Sequence, residues 1–139
     1  MLAALRDRGA DVVYGSRTLG QYRAGRRLPF PGKHPQQGVG AWLAGVLLTL
    51  WTALIYQRWI TDTLTAYKLY PVSVFCGMNV RTHGFETDHE ITAKLVRMGQ
   101  KIVEAPISYC PRSRAEGKKI KATDGLIAIW TLLRFRFTD

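Results

Sequence analysis

Four groups of charged side chains have residue types and settings that could do chemistry. Arg17 follows the short β-prone run Val12-Val13-Tyr14 and the pair Gly15-Ser16. Sites in open α/β sheets gather at strand ends, and an arginine fork matches the oxygens of a phosphate. Asp62 sits between a very apolar stretch and a strand-like one. A carboxylate so placed costs free energy unless it is paired or used, although Thr61-Asp62-Thr63 is also good turn chemistry. Glu86, Asp88 and Glu90 cluster at the start of an expected helix. Acids there complement the helix dipole; one of them could instead be a general base that deprotonates an acceptor oxygen. The fourth group is the basic run Arg112 to Lys121, in which Gly117 lets the backbone bend close to a ligand. Lys118 and Lys119 could hold a diphosphate or a lipid phosphate, and the same run also suits a solvated loop. His89 is expected at the surface rather than as a metal ligand. The sequence has no P-loop, no dinucleotide-binding glycine signature, no Ser/His/Asp arrangement and no zinc spacing.

These groups need elements to position them. Leu2, Ala3 and Leu5 read as the last turns of a helix that stops at Gly9, before a strand over residues 11–14. Residues 15–38, rich in Gly, Pro, Arg and Gln, read as a long loop. The uncharged run Val39 to Tyr56 is long enough to reach the edge of the transmembrane range. It could span a bilayer, lie in its interface with Trp42, Trp51, Tyr56 and Trp59 as anchors, or form a buried core helix. A strand over 66–70, a short helix from Pro71, an amphipathic helix from Phe85 to Met98 with Ile91, Leu95 and Met98 on one face, and an edge strand over 101–109 follow. The last helix is expected over 126–133, capped by Thr123 or Asp124.

Composition narrows the partners. The chain has 139 residues, 47% of them hydrophobic, which suits one domain with a core and excludes a disordered tail. Twenty Lys and Arg against ten Asp and Glu give +10, and no acid occurs between Asp11 and Asp62. The partner should be anionic: a phosphate-bearing ligand, an anionic membrane or nucleic acid. No nucleic-acid motif is present. Cys76 and Cys110 cannot form a disulfide-dense scaffold, which fits cytosolic exposure.

Several stretches, in order, resemble the C-terminal half of family 2 glycosyltransferases, in the polyprenyl-phosphate (dolichyl-phosphate mannose synthase-like) branch. They are Asp11-Val-Val-Tyr-Gly-Ser-Arg17, Thr61-Asp-Thr-Leu-Thr-Ala-Tyr-Lys68, and Gly84-Phe-Glu-Thr-Asp-His-Glu-Ile-Thr-Ala-Lys-Leu95. Val103-Glu-Ala-Pro-Ile-Ser-Tyr109 through Arg112, Glu116-Gly-Lys-Lys-Ile120, and Asp124-Gly-Leu-Ile-Ala-Ile-Trp130 with Arg134-Phe-Arg-Phe137 complete the set. The resemblance implies an α/β chain, residues 1–139, that is part of a GT-A (Rossmann-like) fold with an apolar membrane-contacting helix at 39–56. It implies inverting transfer of a sugar from a nucleotide sugar to a polyprenyl phosphate at the cytoplasmic face of a membrane. Arg17, Arg112, Lys118 and Lys119 would hold the acceptor phosphate; Asp62, with Asp88 or Glu90, would face the reaction.

The family's first half, with its nucleotide pocket and the Asp-x-Asp motif that binds Mg²⁺ or Mn²⁺, has no counterpart in the sequence. The chain therefore reads as a fragment, expected to bind no such metal and to be inactive by itself, with its missing half or an oligomer partner to cover an open sheet edge. The competing expectation is a non-enzymatic basic module bound to anionic lipid.

Overall fold

The computed structural model of the chain describes residues 1–7, 9–23, 38–110 and 122–138. It is a mixed α/β structure with a small three-stranded sheet and one long apolar helix. Helix α1 (Leu2–Asp7) leads through Gly9, at φ +53°, into strand β1 (Val12–Ser16). Every residue of β1 is buried, as befits a central strand. Strand β2 (Lys68–Leu69) pairs with it antiparallel, and β3 (Ile102–Pro106) pairs parallel on the other side, giving the order β2-β1-β3. Pro106 ends β3 on an edge of this sheet, where the missing amide hydrogen costs least.

Glycine and serine carry β1 further than its composition suggests. Gly15 pairs with Ala105 and Ser16 with Pro106. Gly15 has no Cβ, and one built there would lie 2.9 Å from side-chain atoms of both Tyr67 and Ile107. Ser16 then starts a helix: its hydroxyl accepts the Leu19 amide hydrogen at 3.1 Å. Residues 17–23, expected as loop, therefore form helix α2 (Arg17–Arg23). The rest of that expected loop lies outside the described residues.

Helix α2 rests on the chain around β3, and Gly20 makes the approach possible. A methyl group at Gly20 would run into the Ile107 carbonyl oxygen, a backbone atom that cannot step aside. Gly20→Ala is expected to cost about 1–3 kcal/mol. Urea unfolding reads this directly; an unchanged midpoint would mean that α2 does not pack here.

Helix α5 (Thr87–Arg97) is the pivot of the fold, and α4 (Val72–Gly77) precedes it. Ile91 and Leu95 face Val12 and Tyr14 of the sheet, together with Ile60 and Met78. On its other side Ala93 meets Leu48 and Tyr56 of α3 (Val39–Tyr56) and Ala128, Leu132 and Phe135 of α6 (Ala122–Phe137). A helix covered on both sides buries seven consecutive residues, His89 to Leu95. That corrects two expectations: His89 is buried, and Met98, at the helix end before Gly99, is exposed. The 66–70 strand shrinks to two paired residues, and the last helix runs from Ala122 to Phe137, beyond both ends of the expected 126–133.

Helices α3 and α6 run side by side in the same direction. The Trp51 indole donates to the Ile129 carbonyl at 3.2 Å, Tyr56 Oη to Leu132 at 2.7 Å, and Arg136 Nε to Ile55 at 3.2 Å. Arg97 of α5 donates to the carbonyls of Phe135 (3.1 Å) and Thr138 (2.8 Å), satisfying the end of α6.

Candidate functional site

The sheet, the segment after α3 and the start of α2 meet at one place. Asp62, six per cent exposed, accepts from Arg17 three times. The Arg17 backbone amide reaches Oδ2 at 2.9 Å, Nε reaches Oδ2 at 2.6 Å, and Nη2 reaches Oδ1 at 2.5 Å. This is a two-point fork, which only an arginine can supply. The Arg17 side chain keeps 27% of its surface open, and its guanidinium carbon lies 5.0 Å from the centre of the half-open Tyr109 ring. Burial pulls the Arg17 pKa down, but the bonds and charge of Asp62 outweigh it, so the guanidinium stays firmly charged.

Beneath this pair lies a second carboxylate. Glu104 of β3 accepts from Thr61 N–H (2.9 Å), Thr61 Oγ1–H (2.8 Å) and Asp62 N–H (3.1 Å). Thr61 Oγ1 also lies 2.7 Å from Ser16 Oγ. Burial holds the Glu104 carboxyl above its ordinary range, and the hydrogen bonds from Thr61 and Asp62 offset only part of that.

Lys68 extends the cluster. Its ammonium, three per cent exposed, donates to the Thr65 carbonyl (2.5 Å) and to Asp88 Oδ1 (2.7 Å), and lies 5.1 Å from the centre of the Tyr14 ring. Burial lowers its pKa, with Asp88 restoring part. Thr65 belongs to the same short segment as Asp62, so Lys68 joins Asp88, a third exposed, to the edge of the site.

Glu90 is elsewhere. Two residues apart on a helix point about 200° apart, so Asp88 and Glu90 cannot share a site on α5. Glu90 is wholly buried. It accepts from the Arg81 and Thr82 amides (2.8 Å each), the Thr82 hydroxyl (2.6 Å) and Lys94 Nζ (2.9 Å). Burial alone would raise its pKa; the bonds from Thr82, Lys94 and Arg81 more than reverse this, so it is lowered. Lys94 Nζ also donates to the carbonyls of Met78 (2.9 Å) and Asn79 (2.7 Å). This pair fastens the 78–82 segment to α5. Glu86 accepts from the Gly84 amide at 3.3 Å and also takes no part in the Arg17 cluster.

The structure thus brings Arg17 and Asp62 together, attaches Asp88 through Lys68, and leaves Glu90 apart. Arg112, Lys118 and Lys119 lie outside the described residues. Sequence reasoning missed Glu104, Thr61, Lys68 and Tyr109 as members of the cluster. Their signal was present: two lie in Thr61-to-Lys68 and two in Val103-to-Tyr109, stretches already singled out. Among the described residues no three His, Cys, Asp or Glu side chains come together to hold a metal ion.

His89 gives the site's surroundings a pH signature. Burial, and then the Lys68 charge, push its pKa from 6.5 down to about 4, against a smaller upward pull from Glu86. Its Nδ1 has no hydrogen-bond partner among the described residues. Between pH 6.5 and about 4 the unfolded chain takes up a proton at His89 and the folded chain does not. Stability therefore falls as pH drops through that window, by about 3 kcal/mol in all at ~1.4 kcal/mol per pH unit. His89→Leu should flatten this part of the curve when urea unfolding is compared at neutral and mildly acidic pH. Equal slopes in both proteins would mean that His89 is not buried neutral.

No family model, no curated protein and no solved structure matches this chain.

Proposed function

We propose that this chain is part of an inverting glycosyltransferase of GT-A type, in which Arg17 meets the phosphate of a polyprenyl-phosphate acceptor at the cytoplasmic face of a membrane. The observation that carries the reading is the Arg17 fork fixed by Asp62 at the carboxyl end of β1. A cation already held by its own carboxylate is preorganised, so little ordering is left to be done when an anion arrives. Asp62 occupies Nε and Nη2, and the guanidinium carbon lies over the Tyr109 ring. Asp88, a third exposed and tethered through Lys68 to the Thr65 carbonyl, is the candidate base for the acceptor. The nucleotide sugar would be held by residues other than these, since no Asp-x-Asp pair occurs in the sequence.

The apolar surface supports the lipid side of the reading. Leu43, Leu47, Leu50 and Leu54 of α3 are all exposed, at the spacing of one helical stripe. Leu126, Ile127, Trp130 and Phe137 of α6 are exposed as well. The opposite side of α3 packs on α6 and α5, which carry Lys94, Arg97, Arg134 and Arg136. A membrane-spanning α3 would carry those packed neighbours and their charges toward hydrocarbon, which costs several kcal/mol per charge. Lying in the interface instead, both stripes meet acyl chains and the exposed Arg134 and Arg136 meet headgroups. Leu54→Lys, at a site 71% exposed, should leave stability unchanged and weaken vesicle binding by about tenfold, the loss of one leucine's burial. Sedimentation with phosphatidylcholine vesicles containing phosphatidylglycerol measures it, and undiminished binding would take α3 off the membrane.

The functional test compares vesicles of equal charge. Tighter binding to phosphatidylcholine vesicles doped with polyprenyl phosphate than to charge-matched phosphatidylglycerol vesicles is the expected result. Equal, salt-sensitive binding to both would favour the non-enzymatic basic membrane module instead.

A further inference from the structure

We propose that Glu104 is a positioning residue: from β3 it fixes the Thr61–Asp62 backbone and so sets the Asp62 carboxylate, and with it the Arg17 guanidinium, in the geometry that receives an anionic headgroup. The headgroup part rests on the function proposed above; the positioning does not.

Three donors converge on one carboxylate. Thr61 N–H lies 2.9 Å from Oε2, Thr61 Oγ1–H lies 2.8 Å from Oε1, and Asp62 N–H lies 3.1 Å from Oε1. An ionised carboxylate is acceptor-only and can take all three. A glutamine would turn an NH₂ toward one of these donors and lose that bond. The Thr61 hydroxyl has a single proton, and it goes to Glu104. The Ser16 hydroxyl must then be the donor in its 2.7 Å contact with Thr61, which leaves Ser16 Oγ to accept the Leu19 amide. The order of donors, Ser16 to Thr61 to Glu104, therefore runs from the first turn of α2 to β3.

Glu104 can serve as the fixed end of this chain because its backbone is locked. It pairs with Tyr14 in the parallel ladder between β1 and β3, and Tyr14 is itself fully buried. Its bonds to the 61–62 backbone hold the very residue whose side chain grips Arg17 from the other direction. Asp62 is thus held twice: by its amide to Glu104 and by its carboxylate to Arg17. An arginine that had only the second link would still pair, but the pair could swing with the segment.

The experiment reads the Arg17 Nε–H signal by NMR in the full 139-residue chain in phosphatidylcholine nanodiscs. Glu104→Gln should speed its hydrogen exchange by about tenfold, the factor for a bond of ~1.4 kcal/mol. The Val12 amide, bonded to the Lys101 carbonyl at the far end of the same strands, should stay protected, and Glu104→Asp should restore part of the Arg17 protection. Unchanged Arg17 exchange in Glu104→Gln would overturn the proposal. If Glu104→Gln unfolds the sheet, Thr61→Val decides, since it keeps the carboxylate and removes only the hydroxyl, with its bonds to Glu104 and Ser16. Faster Arg17 exchange with Val12 intact supports positioning, and loss of both protections in parallel overturns it. Adding a short-chain polyprenyl phosphate should shift the wild-type Arg17 signal. No shift would overturn the headgroup reading while the positioning result stands on its own.

Discussion

Replacing Glu90 by alanine should cost the fold about 3–5 kcal/mol and unfold much of the population at 37 °C. The size follows from what is left behind. Glu90 is wholly buried and Lys94 nearly so, and each neutralises the other at 2.9 Å. Without the carboxylate, the Lys94 ammonium remains in the interior beside Phe135 and the Met78 and Asn79 carbonyls, its counter-charge gone. The Arg81 and Thr82 amides lose their acceptor at the same time. Lys94→Met alone should cost less, because Glu90 keeps three donors from Arg81 and Thr82. The pair Glu90→Leu with Lys94→Met should recover much of the loss, since a matched apolar pair carries no desolvation penalty. Calorimetry separates these cases: the expected drop for Glu90→Ala is on the order of 10 °C, and the double variant should melt well above it. If Glu90→Ala melts with the wild type, Glu90 is not the buried, four-fold bonded group described above.

The second large effect concerns recognition. Arg17→Ala should abolish the preference for polyprenyl phosphate over charge-matched lipid, a loss of tenfold or more, the worth of about one strong charge-assisted bond. It also strands Asp62, which is six per cent exposed, so the variant should lose about 1–3 kcal/mol of stability as well. The two consequences are separable. Arg17→Lys keeps the charge and should return part of the stability. It cannot make the Nε and Nη2 fork to Oδ2 and Oδ1, so recognition should stay impaired. Asp62→Asn attacks the pair from the other side: the fork to Arg17 weakens while the Asp62 amide bond to Glu104 is retained. Its recognition should fall with little change in overall membrane binding, because the α3 and α6 stripes are untouched.

How far the sequence reached depended on whether the relevant force was local. The long apolar helix α3 has the very limits of the uncharged run, Val39 to Tyr56, because nothing but composition decides it. β1 and β3 were recognisable from β-branched residues between glycine and proline, and Pro106 on an edge strand follows from its missing donor. The start of α2 was missed although Ser16 is a good cap, because the glycines and prolines further along dominated the composition of 15–38. A lone histidine is expected at the surface; the burial of His89 is a tertiary fact with no local signature.

The site shows the same division. Arg17 and Asp62 were singled out separately, by strand end and by an acid beside apolar sequence, and 45 residues of separation hid their pairing. Asp88 and Glu90 were legible as a cluster, yet helical geometry sends them to opposite sides, one to Lys68 and one to Lys94. Glu104 looked like one residue of a strand; only the register of β3 against β1 sets it beneath Thr61.

The most direct measurement is to give the protein, in phosphatidylcholine membranes, a polyprenyl phosphate carrying a photoreactive group beside its phosphate, and to map the crosslinks. The account predicts labelling around Tyr14 to Arg17 and Thr61 to Lys68, lost in Arg17→Ala. Labelling confined to the outward faces of α3 and α6, and indifferent to Arg17, would contradict it.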